Sequence, residues 1–382
     1  MTALRRIGGL PWVTIVIVAI TVAWLSLGMA RDFHVYWLAG VRLRTGGWTA
    51  AYQITEANPF KYHPVFAFLC APFGLLSESA AKIVWAVINA AMVWDLLRRW
   101  RSAWGLTPAA IGLSYLCIGH ALFWQYDLAN VTFAMLWLWT VALTTTGPWR
   151  AAFCYAVLIA LKPFWLALIV PWILCRRFAL LGKVGVMLGA LSAAPIVLGV
   201  HGFMTAYQRW IETFADPLHA RNYPSHANQS WYGLLYRHLD VLDGRLNLFW
   251  FAGSALVGLW WLWQWRDTLR KPLDRAQWWT MELSLAPLIL WTAPLSWIHH
   301  QILLWPLLAA AWQLGRQSAL ARVAWGASFV LLTLLSESII GRATTLQVLS
   351  LGVPLVAFLL LNWWASSARF RADPLSGVLQ QS

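Results

Sequence analysis

The feature that most constrains this chain is a succession of uncharged apolar stretches, each long enough to cross a membrane. The first, Ile7 to Ala30, holds no charged residue, and similar stretches follow to the end of the chain. A hydrocarbon core about 30 Å thick needs roughly 20 apolar residues per helical crossing. Because 60% of the residues are apolar and only 11% are charged, a water-soluble globule is excluded. The pattern predicts an all-α polytopic membrane protein.

The charge of the chain follows membrane topology rather than a soluble basic surface. The formal net charge is +14, from 28 Lys and Arg residues against 14 Asp and Glu residues. Most of the basic residues fall in short loops or tails, which the positive-inside rule assigns to the cytoplasmic face. This group has seventeen members: Arg5, Arg6, Arg98, Arg99, Arg101, Arg150, Arg176, Arg177, Lys183, Arg266, Arg270, Lys271, Arg275, Arg316, Arg322, Arg369 and Arg371. Nucleic-acid binding needs a basic face on a soluble domain, so the sequence predicts no nucleic-acid partner.

The orientation of these loops predicts a single transmembrane domain, residues 1–382, with about twelve membrane segments and a range of roughly ten to thirteen. The predicted segments lie near 8–30, 79–97, 108–124, 128–146, 150–161, 163–175, 178–200, 246–265, 276–296, 299–314, 319–339 and 345–365. Both termini then face the cytoplasm, with 366–382 as a short tail. Segments 150–161 and 163–175 are too short to cross alone, so we interpret them as a broken pair that meets at Lys162-Pro163 on the outer side.

Two outer segments are too long to be simple connections, and both are predicted to carry interfacial helices. Residues 32–77 form a first periplasmic loop, in which apolar residues share one helical face and Arg42 and Arg44 another. That pattern is typical of a helix lying in the membrane interface. A second apolar piece, 64–76, is too short to cross and is predicted as a second juxtamembrane helix. Residues 201–247 form a second large periplasmic loop rich in polar residues, which is either a solvated connection or part of the roof of a shared cavity.

Asp32 and Lys162 are the polar residues with the strongest claim to chemistry. Asp32 directly follows the first apolar stretch and Arg31, so its carboxylate is expected on the outer side; alternatively, the Arg31-Asp32 pair only sets the depth of the helix. Lys162 lies between two half-length apolar runs, where an ammonium group is costly in lipid and normally faces a cavity or a partner. A cation in that position can hold a phosphate group.

The sequence does not predict a metal or cofactor site. Adjacent imidazoles such as His299 and His300 point about 100° apart on a helix, so a shared metal ion is the weaker interpretation of this pair. The four cysteines are isolated from one another. We predict no metal and no cofactor; a divalent cation is compatible with the pattern but not indicated by it. Nucleotide-binding motifs are also absent from the sequence, so an activated substrate is expected to arrive through the membrane.

Five short motifs, in this order along most of the chain, resemble the polyprenyl-phosphate-mannose-dependent alpha-mannosyltransferases of glycosyltransferase family 87, within the C-type glycosyltransferase superfamily. The motifs are Asp32-Phe33 followed by Tyr36-Trp37-Leu38-Ala39-Gly40, then Phe60-Lys61-Tyr62-His63-Pro64-Val65-Phe66-Ala67, Leu161-Lys162-Pro163, Asn228-Gln229-Ser230 and Ser296-Trp297-Ile298-His299-His300. The resemblance implies a C-type glycosyltransferase fold and an enzyme of the bacterial inner membrane whose active site faces the periplasm or the cell exterior.

The resemblance also implies a role for Asp32, and the chemistry of the transfer then indicates the other candidates. Asp32 would be the catalytic base of an inverting transfer, because the acceptor hydroxyl loses a proton as it attacks the anomeric carbon. The leaving polyprenyl phosphate needs positive charge and hydrogen-bond donors in a water-poor cleft. The candidates for that task are Lys162, His300, His299, Arg221 and Lys61. The candidates for sugar or acceptor binding are Tyr36, Trp37, Tyr62, Asn130, Asn228 and Gln229; for the three aromatic residues, packing of the interfacial helix is the alternative.

These observations favour a membrane glycosyltransferase that moves a hexose, with mannose as the first choice, from a polyprenyl-phosphate donor to a glycan or glycolipid acceptor. The alternative is a transporter or flippase of lipid-linked sugar, which a dozen spans and a broken pair would suit. Ionisable residues are scarce at mid-membrane, which argues against that alternative. A structural scaffold would explain the hydrophobicity but not the polar residues gathered on one face.

Overall fold

The structure is a computed structural model that describes residues 11–53, 59–215, 224–239, 245–271, 273–315 and 318–366. The described chain is almost entirely helical, as the apolar stretches predict. Its α-helices are α1 Pro11–Leu27, α2 Arg31–Ala51, α3 Pro64–Cys70, α4 Glu78–Trp104, α5 Pro108–Cys117, α6 Gly119–Leu128, α7 Thr132–Thr144, α8 Pro148–Leu161, α9 Ile169–Leu174, α10 Phe178–Ala193, α11 Val200–Ala215, α12 Trp231–His238, α13 Arg245–Leu269, α14 Arg275–Thr292, α15 Trp305–Leu314, α16 Ala319–Phe329, α17 Glu337–Ile340, α18 Arg342–Ser350 and α19 Val353–Ala365. Shorter 3₁₀ turns cover Phe73–Leu75, Pro163–Leu168, Ala194–Leu198 and Ile298–Leu304.

Several of the predicted membrane segments are broken or bent. Within the described residues, three helical stretches are long and apolar enough to cross a membrane unaided: Glu78–Trp104, Phe178–Val197 and Arg245–Leu269. Three further pairs pass the same test together but are bent, α1 with α2 by 64°, α6 with α7 by 114° and α18 with α19 by 55°. The predicted segment 108–124 is divided at Ile118 into α5 and α6. The structure is that of a multi-pass membrane protein, and the number of twelve crossings stays a prediction.

The region after α1 contains the two helical pieces that the sequence predicts. Helix α2 is kinked at Gly47, whose backbone is left-handed (φ 69°), and α3 is followed by the 3₁₀ turn Phe73–Leu75. Helix α2 packs directly on α3 and on that turn. The approach is close because Gly40 has no side chain: a Cβ there would collide with the carbonyl oxygen of Cys70. This packing fixes the position of α2, which begins one residue before Asp32.

Helix α11, in the second predicted outer loop, has three distinct faces. Val200, Met204 and Ile211 share one side of the helix and are each more than 60% exposed. Polar residues such as Gln208 and Glu212 follow on the next side, and Ala206 on the remaining side is fully buried against the protein. An exposed apolar stripe beside a polar stripe is typical of a helix that lies in the lipid interface. The sequence prediction of interfacial helices in both outer loops is compatible with this geometry.

A buried carboxylate joins four helices inside the bundle. Glu282 of α14 is fully buried. It accepts hydrogen bonds from Trp139 Nε1 of α7 at 3.0 Å, from Tyr155 OH of α8 at 2.8 Å and from Trp172 Nε1 of α9 at 3.2 Å. Unpaired polar groups in an apolar interior cost free energy, so the three donors and the carboxylate satisfy one another. This junction holds α8 and α9 on either side of the break at Lys162.

Replacing Glu282 by Ala is expected to lower the thermal stability of the protein in detergent, because three buried donors lose their acceptor. The loss of free energy of unfolding should be on the order of 3 kcal/mol. Glu282→Gln, which keeps one acceptor oxygen, should lose less. The control is Glu337→Ala, because the Glu337 side chain is exposed. A Glu282→Ala protein with the melting temperature of the wild type would contradict the structural role of this carboxylate.

Candidate active site

Most of the residues that the sequence predicts as functional line one cavity. The cavity has a volume of about 650 Å³ and is walled by α2, residues 59–62, the junction of α6 and α7, the break after α8 and residues 293–300. Eight predicted site residues lie in its wall: Asp32, Tyr36, Lys61, Tyr62, Asn130, Lys162, His299 and His300. A volume of this size is typical of a site for a small-molecule ligand.

Asp32 occupies the first turn of α2, and an unusual backbone conformation places it there. Ala30, just before the helix, is left-handed (φ 50°, ψ 41°), which costs a residue other than glycine roughly 1–2 kcal/mol. This residue lies at the 64° bend between α1 and α2. A carboxylate in the first helical turn is favoured by the helix dipole. The bend therefore presents Asp32 to the cavity on a rigid helix end.

Asn130 lies at the 114° bend between α6 and α7 and donates a hydrogen bond to Asp32. Its Nδ2 lies 2.6 Å from Asp32 Oδ2. Thr132 Oγ1 donates to Asn130 Oδ1 at 3.0 Å, so the amide oxygen is occupied and the amide nitrogen is turned toward the carboxylate. Gln125 Nε2 donates to the Asn130 carbonyl at 2.6 Å, and Ala129 supplies the turn with a left-handed φ of 53°. Asn130 is thus bonded to the predicted base itself, a contact that its predicted role in sugar or acceptor binding did not include.

Replacing Asn130 by Ala is expected to lower the rate by about 10- to 100-fold, the equivalent of a hydrogen bond to a charged group. The bond favours the ionised form of Asp32, so its loss should also move the acid limb of the pH–rate profile to higher pH. The measurement is kcat/KM against pH. Asn362→Ala is the matched control, because Asn362 is also buried but donates to the Ser284 carbonyl, away from the cavity. An unchanged acid limb in Asn130→Ala would contradict this role.

Tyr36 and Tyr62 connect the carboxylate side of the cavity to its cationic side. Their hydroxyls are 2.8 Å apart, and Asn130 Nδ2 lies 3.5 Å from the Tyr62 hydroxyl. Burial, with Asp32 nearby, raises the pKa of Tyr62 well above its ordinary value, so its hydroxyl stays protonated and can donate. The Lys162 ammonium lies over the Tyr62 ring, 4.6 Å from its centroid, in a cation–π contact.

Lys162 enters the cavity because the helix before it ends. Helix α8 stops at Leu161, Lys162 is extended (φ −146°, ψ 112°) and a 3₁₀ turn begins at Pro163. A residue before proline is disfavoured in the helical conformation, which explains why the break falls here, as the sequence predicts. The charge of the Lys162 ammonium interacts with the charges of Asp32 and Lys61. The cavity therefore combines a carboxylate with two ammonium groups.

His299 and His300 bring two buried ring nitrogens to the cavity wall. They are 3% and 1% exposed, and their ring centroids are 4.5 Å apart. The Nε2 atoms of both rings have no hydrogen-bond partner among the described residues. The Trp297 backbone N–H donates to His300 Nδ1 at 3.2 Å, so the neutral ring carries its proton on Nε2. An unpaired buried donor is costly, and a ligand oxygen in the cavity would satisfy it.

Three predicted site residues, which are Trp37, Asn228 and Gln229, are not among those that wall the cavity. Arg221 lies outside the described residues. Trp37 Nε1 donates to the Leu76 carbonyl at 3.0 Å, and the half-buried ring packs against the hydrophobic core. Consecutive residues of a helix point about 100° apart, so Trp37 points away from the cavity that Tyr36 lines. Asn228 and Gln229 are buried, and their side chains form hydrogen bonds with backbone groups. Asn228 Oδ1 accepts from the Ser296 N–H at 2.9 Å, and Gln229 Nε2 donates to the Leu349 carbonyl at 3.1 Å.

Some contributors to the site were not recognised in the sequence. Gln125 and Thr132, which orient Asn130, are polar residues inside apolar segments, and that contrast is a usable signal. The left-handed Ala30 and Ala129 leave no signal, since alanine is an ordinary helix former. In the described part of the chain, no three His, Cys, Asp or Glu side chains come together as metal ligands would. The expectation that the site needs no metal stays a prediction.

Comparisons with known proteins agree with the motif pattern. The sequence profile of glycosyltransferase family 87 matches residues 60–290. The polyprenol-phosphate-mannose-dependent alpha-(1-2)-phosphatidylinositol mannoside mannosyltransferase of Mycobacterium tuberculosis is 26% identical over 315 residues, which cover 75% of this chain and 71% of that protein. The UPF0060 membrane protein of Acidovorax sp. is 31% identical over 105 residues, 24% of this chain and 96% of that protein. No solved structure matches this chain.

Proposed function

Because the chain belongs to glycosyltransferase family 87, we propose that it is an inverting hexosyltransferase that moves mannose from a polyprenyl phosphate to a glycan or glycolipid acceptor. The donor class and the sugar are those in the name of the mycobacterial relative. We place the reaction on the periplasmic face of a bacterial inner membrane, since the basic loops are assigned to the cytoplasm and the cavity residues to the other side.

One arrangement carries this proposal: a carboxylate and a cationic, donor-rich surface share a single cavity. Asp32 lies on one part of the wall. Lys162 lies on another, together with the His299 and His300 Nε2 atoms, which have no hydrogen-bond partner among the described residues. A phosphate group needs charge and hydrogen-bond donors, whereas a hydroxyl nucleophile needs a base. The cavity offers both, which a sugar phosphate and an acceptor hydroxyl together would use.

The proposed reaction is a single displacement at the anomeric carbon. The acceptor oxygen forms a bond to that carbon while the bond from the carbon to the phosphate oxygen breaks. Asp32 takes the proton of the acceptor hydroxyl. The polyprenyl phosphate leaves with the bonding electron pair, and its growing negative charge is stabilised by Lys162 and the histidine donors, with Lys61 nearby. Attack from the face opposite the phosphate inverts the anomeric configuration.

The test is transfer of labelled mannose by the purified protein in proteoliposomes. Polyprenyl-phosphate mannose is the donor, glycolipid extract from a strain lacking the gene is the acceptor, and GDP-mannose is the donor control. Labelled product from the lipid-linked donor only, with an inverted anomeric centre by NMR, is expected, and EDTA should not change the rate. Counterflow of the lipid-linked sugar with no covalent product would favour the transporter or flippase instead.

We further propose a C-type glycosyltransferase fold with about twelve crossings, in which residues 32–77 and 201–247 lie outside and both termini lie inside. The basic loops support this orientation. Single cysteines at the exposed Gln53 and Lys271 report on it in a background without the native cysteines. A membrane-impermeant thiol reagent applied to cells with a permeabilised outer membrane should label position 53 only; labelling of position 271 alone would reverse the orientation.

A further inference from the structure

The segment that brings Lys61 and Tyr62 into the cavity has no regular secondary structure of its own. Residues 59–63 are irregular and lead into α3 at Pro64. Their position therefore depends on bonds from other elements. The Tyr52 hydroxyl donates to the Tyr62 carbonyl at 2.7 Å, and Trp210 Nε1 of α11 donates to the Lys61 carbonyl at 3.2 Å.

His63 provides a second connection between this segment and α11. The ring is 6% exposed. The Val65 backbone N–H donates to His63 Nδ1 at 3.2 Å and caps α3. On the other side of the ring, His63 Nε2 lies 3.1 Å from the Tyr207 hydroxyl and 3.2 Å from Ser192 Oγ.

The hydrogen-bond directions in this contact are determined by its neighbours. The Tyr207 hydroxyl donates to the Ser192 carbonyl at 2.7 Å, so the Tyr207 oxygen accepts from His63 Nε2–H. Since Nδ1 accepts from Val65, the ring is the neutral Nε2–H tautomer. Burial lowers the pKa of His63 to about 4, which is compatible with a neutral ring at ordinary pH. Trp210 packs edge-on against the same ring, with centroids 5.0 Å apart.

We propose that His63, Tyr207 and Trp210 are positioning residues that hold Lys61 and Tyr62 at the catalytic cavity. This inference rests on the proposed function. None of the three residues lines the cavity, so they act through residues 59–62. The Tyr62 ring lies under Lys162 and its hydroxyl contacts that of Tyr36, so a displaced segment would carry these groups away from the positions that they take at the cavity wall.

Because reacting groups must be aligned closely in the transition state, loss of the contacts between His63 and α11 should lower kcat more than it raises KM. Tyr207→Phe removes only the hydroxyl and should lower kcat about tenfold. His63→Asn offers another good N-cap residue for α3 but is too short to reach Tyr207, and it should lose as much. Because each single change already breaks the His63–Tyr207 bond, their effects on kcat should not multiply in the double variant. Thr205→Val is the control, because the Thr205 hydroxyl bonds within α11 to the His201 carbonyl.

The decisive measurement adds hydrogen–deuterium exchange of the peptide spanning residues 59–66, which needs no substrate. Faster exchange there in Tyr207→Phe and His63→Asn, but not in Thr205→Val, together with the fall in kcat at unchanged melting temperature, is expected. Wild-type exchange and kcat in the folded Tyr207→Phe and His63→Asn proteins would overturn the inference. If the wild type transfers no sugar, the proposed function fails, and the exchange result alone decides whether α11 holds this segment.

Discussion

The Asp32→Asn protein is expected to fold like the wild type and to lose transfer activity by on the order of 10³-fold. General-base catalysis contributes typically about 10²–10⁴-fold, and an amide cannot accept the proton of the acceptor hydroxyl. The substitution keeps the size of the side chain and an oxygen that can still accept the hydrogen bond from Asn130 Nδ2. The loss should therefore appear in kcat, while binding of the donor changes little.

The measurement is single-turnover transfer from labelled polyprenyl-phosphate mannose, with melting temperature as the check of folding. Asp267→Asn is the matched control, because its carboxylate is 65% exposed and lies at the end of α13. Wild-type transfer by a folded Asp32→Asn protein would rule out Asp32 as the base. The remaining carboxylates would then have to be tested one at a time.

The Lys162→Met protein is expected to lose about 10²–10³-fold in kcat, the effect of removing one preorganised group that stabilises transition-state charge. Methionine has a similar length and fills the same space, but it carries no charge for the departing phosphate. Affinity for free polyprenyl phosphate, measured as competitive inhibition, should weaken as well. Lys162→Arg should recover only part of the activity, since the planar guanidinium differs from the compact ammonium over the Tyr62 ring.

Lys183→Met is the control for this variant, because Lys183 lies on α10 against the ring of Trp149 and does not line the cavity. Equal kcat and equal inhibition by polyprenyl phosphate in Lys162→Met and the wild type would remove Lys162 from the phosphate site. His299 and His300, whose Nε2 atoms lack partners among the described residues, would then be the groups to vary.

The parts of the site that could be predicted depend on local chemistry. Proline disfavours a helical residue before it, so Lys162-Pro163 marks a break in any fold, and the break occurs there. Asp32 follows the first charge-free run, so it had to lie near a helix end. Charged groups in an apolar chain need a cavity or a partner, which explains why Lys61, Lys162 and Asp32 line one cavity.

The parts that could not be predicted depend on which side chains face one another. Contact of Asn228 and Gln229 with ligand stays a prediction; in the structure both side chains bond to backbone of residues 294–296 and 349. Both uses need the same polar groups, and the sequence does not distinguish a backbone partner from a ligand. Tyr36 and Trp37 were both predicted to bind sugar or acceptor. The packing of α2 on Cys70 and its neighbours orients the helix so that Tyr36, and not Trp37, lines the cavity.

The sequence by itself determined the membrane environment, the helical class, the family and eight of the residues around the cavity, because hydrophobicity, charge and proline geometry act over a few residues. Only the tertiary structure decided that Asn130 would be bonded to Asp32, that His63 would reach α11 and that Glu282 would join four helices. These contacts join residues from 98 to 144 positions apart in the chain. The bond between Asn130 and Asp32 also depends on the bends at Ala30 and Ala129, whose left-handed backbone is imposed by packing and is invisible in two alanines.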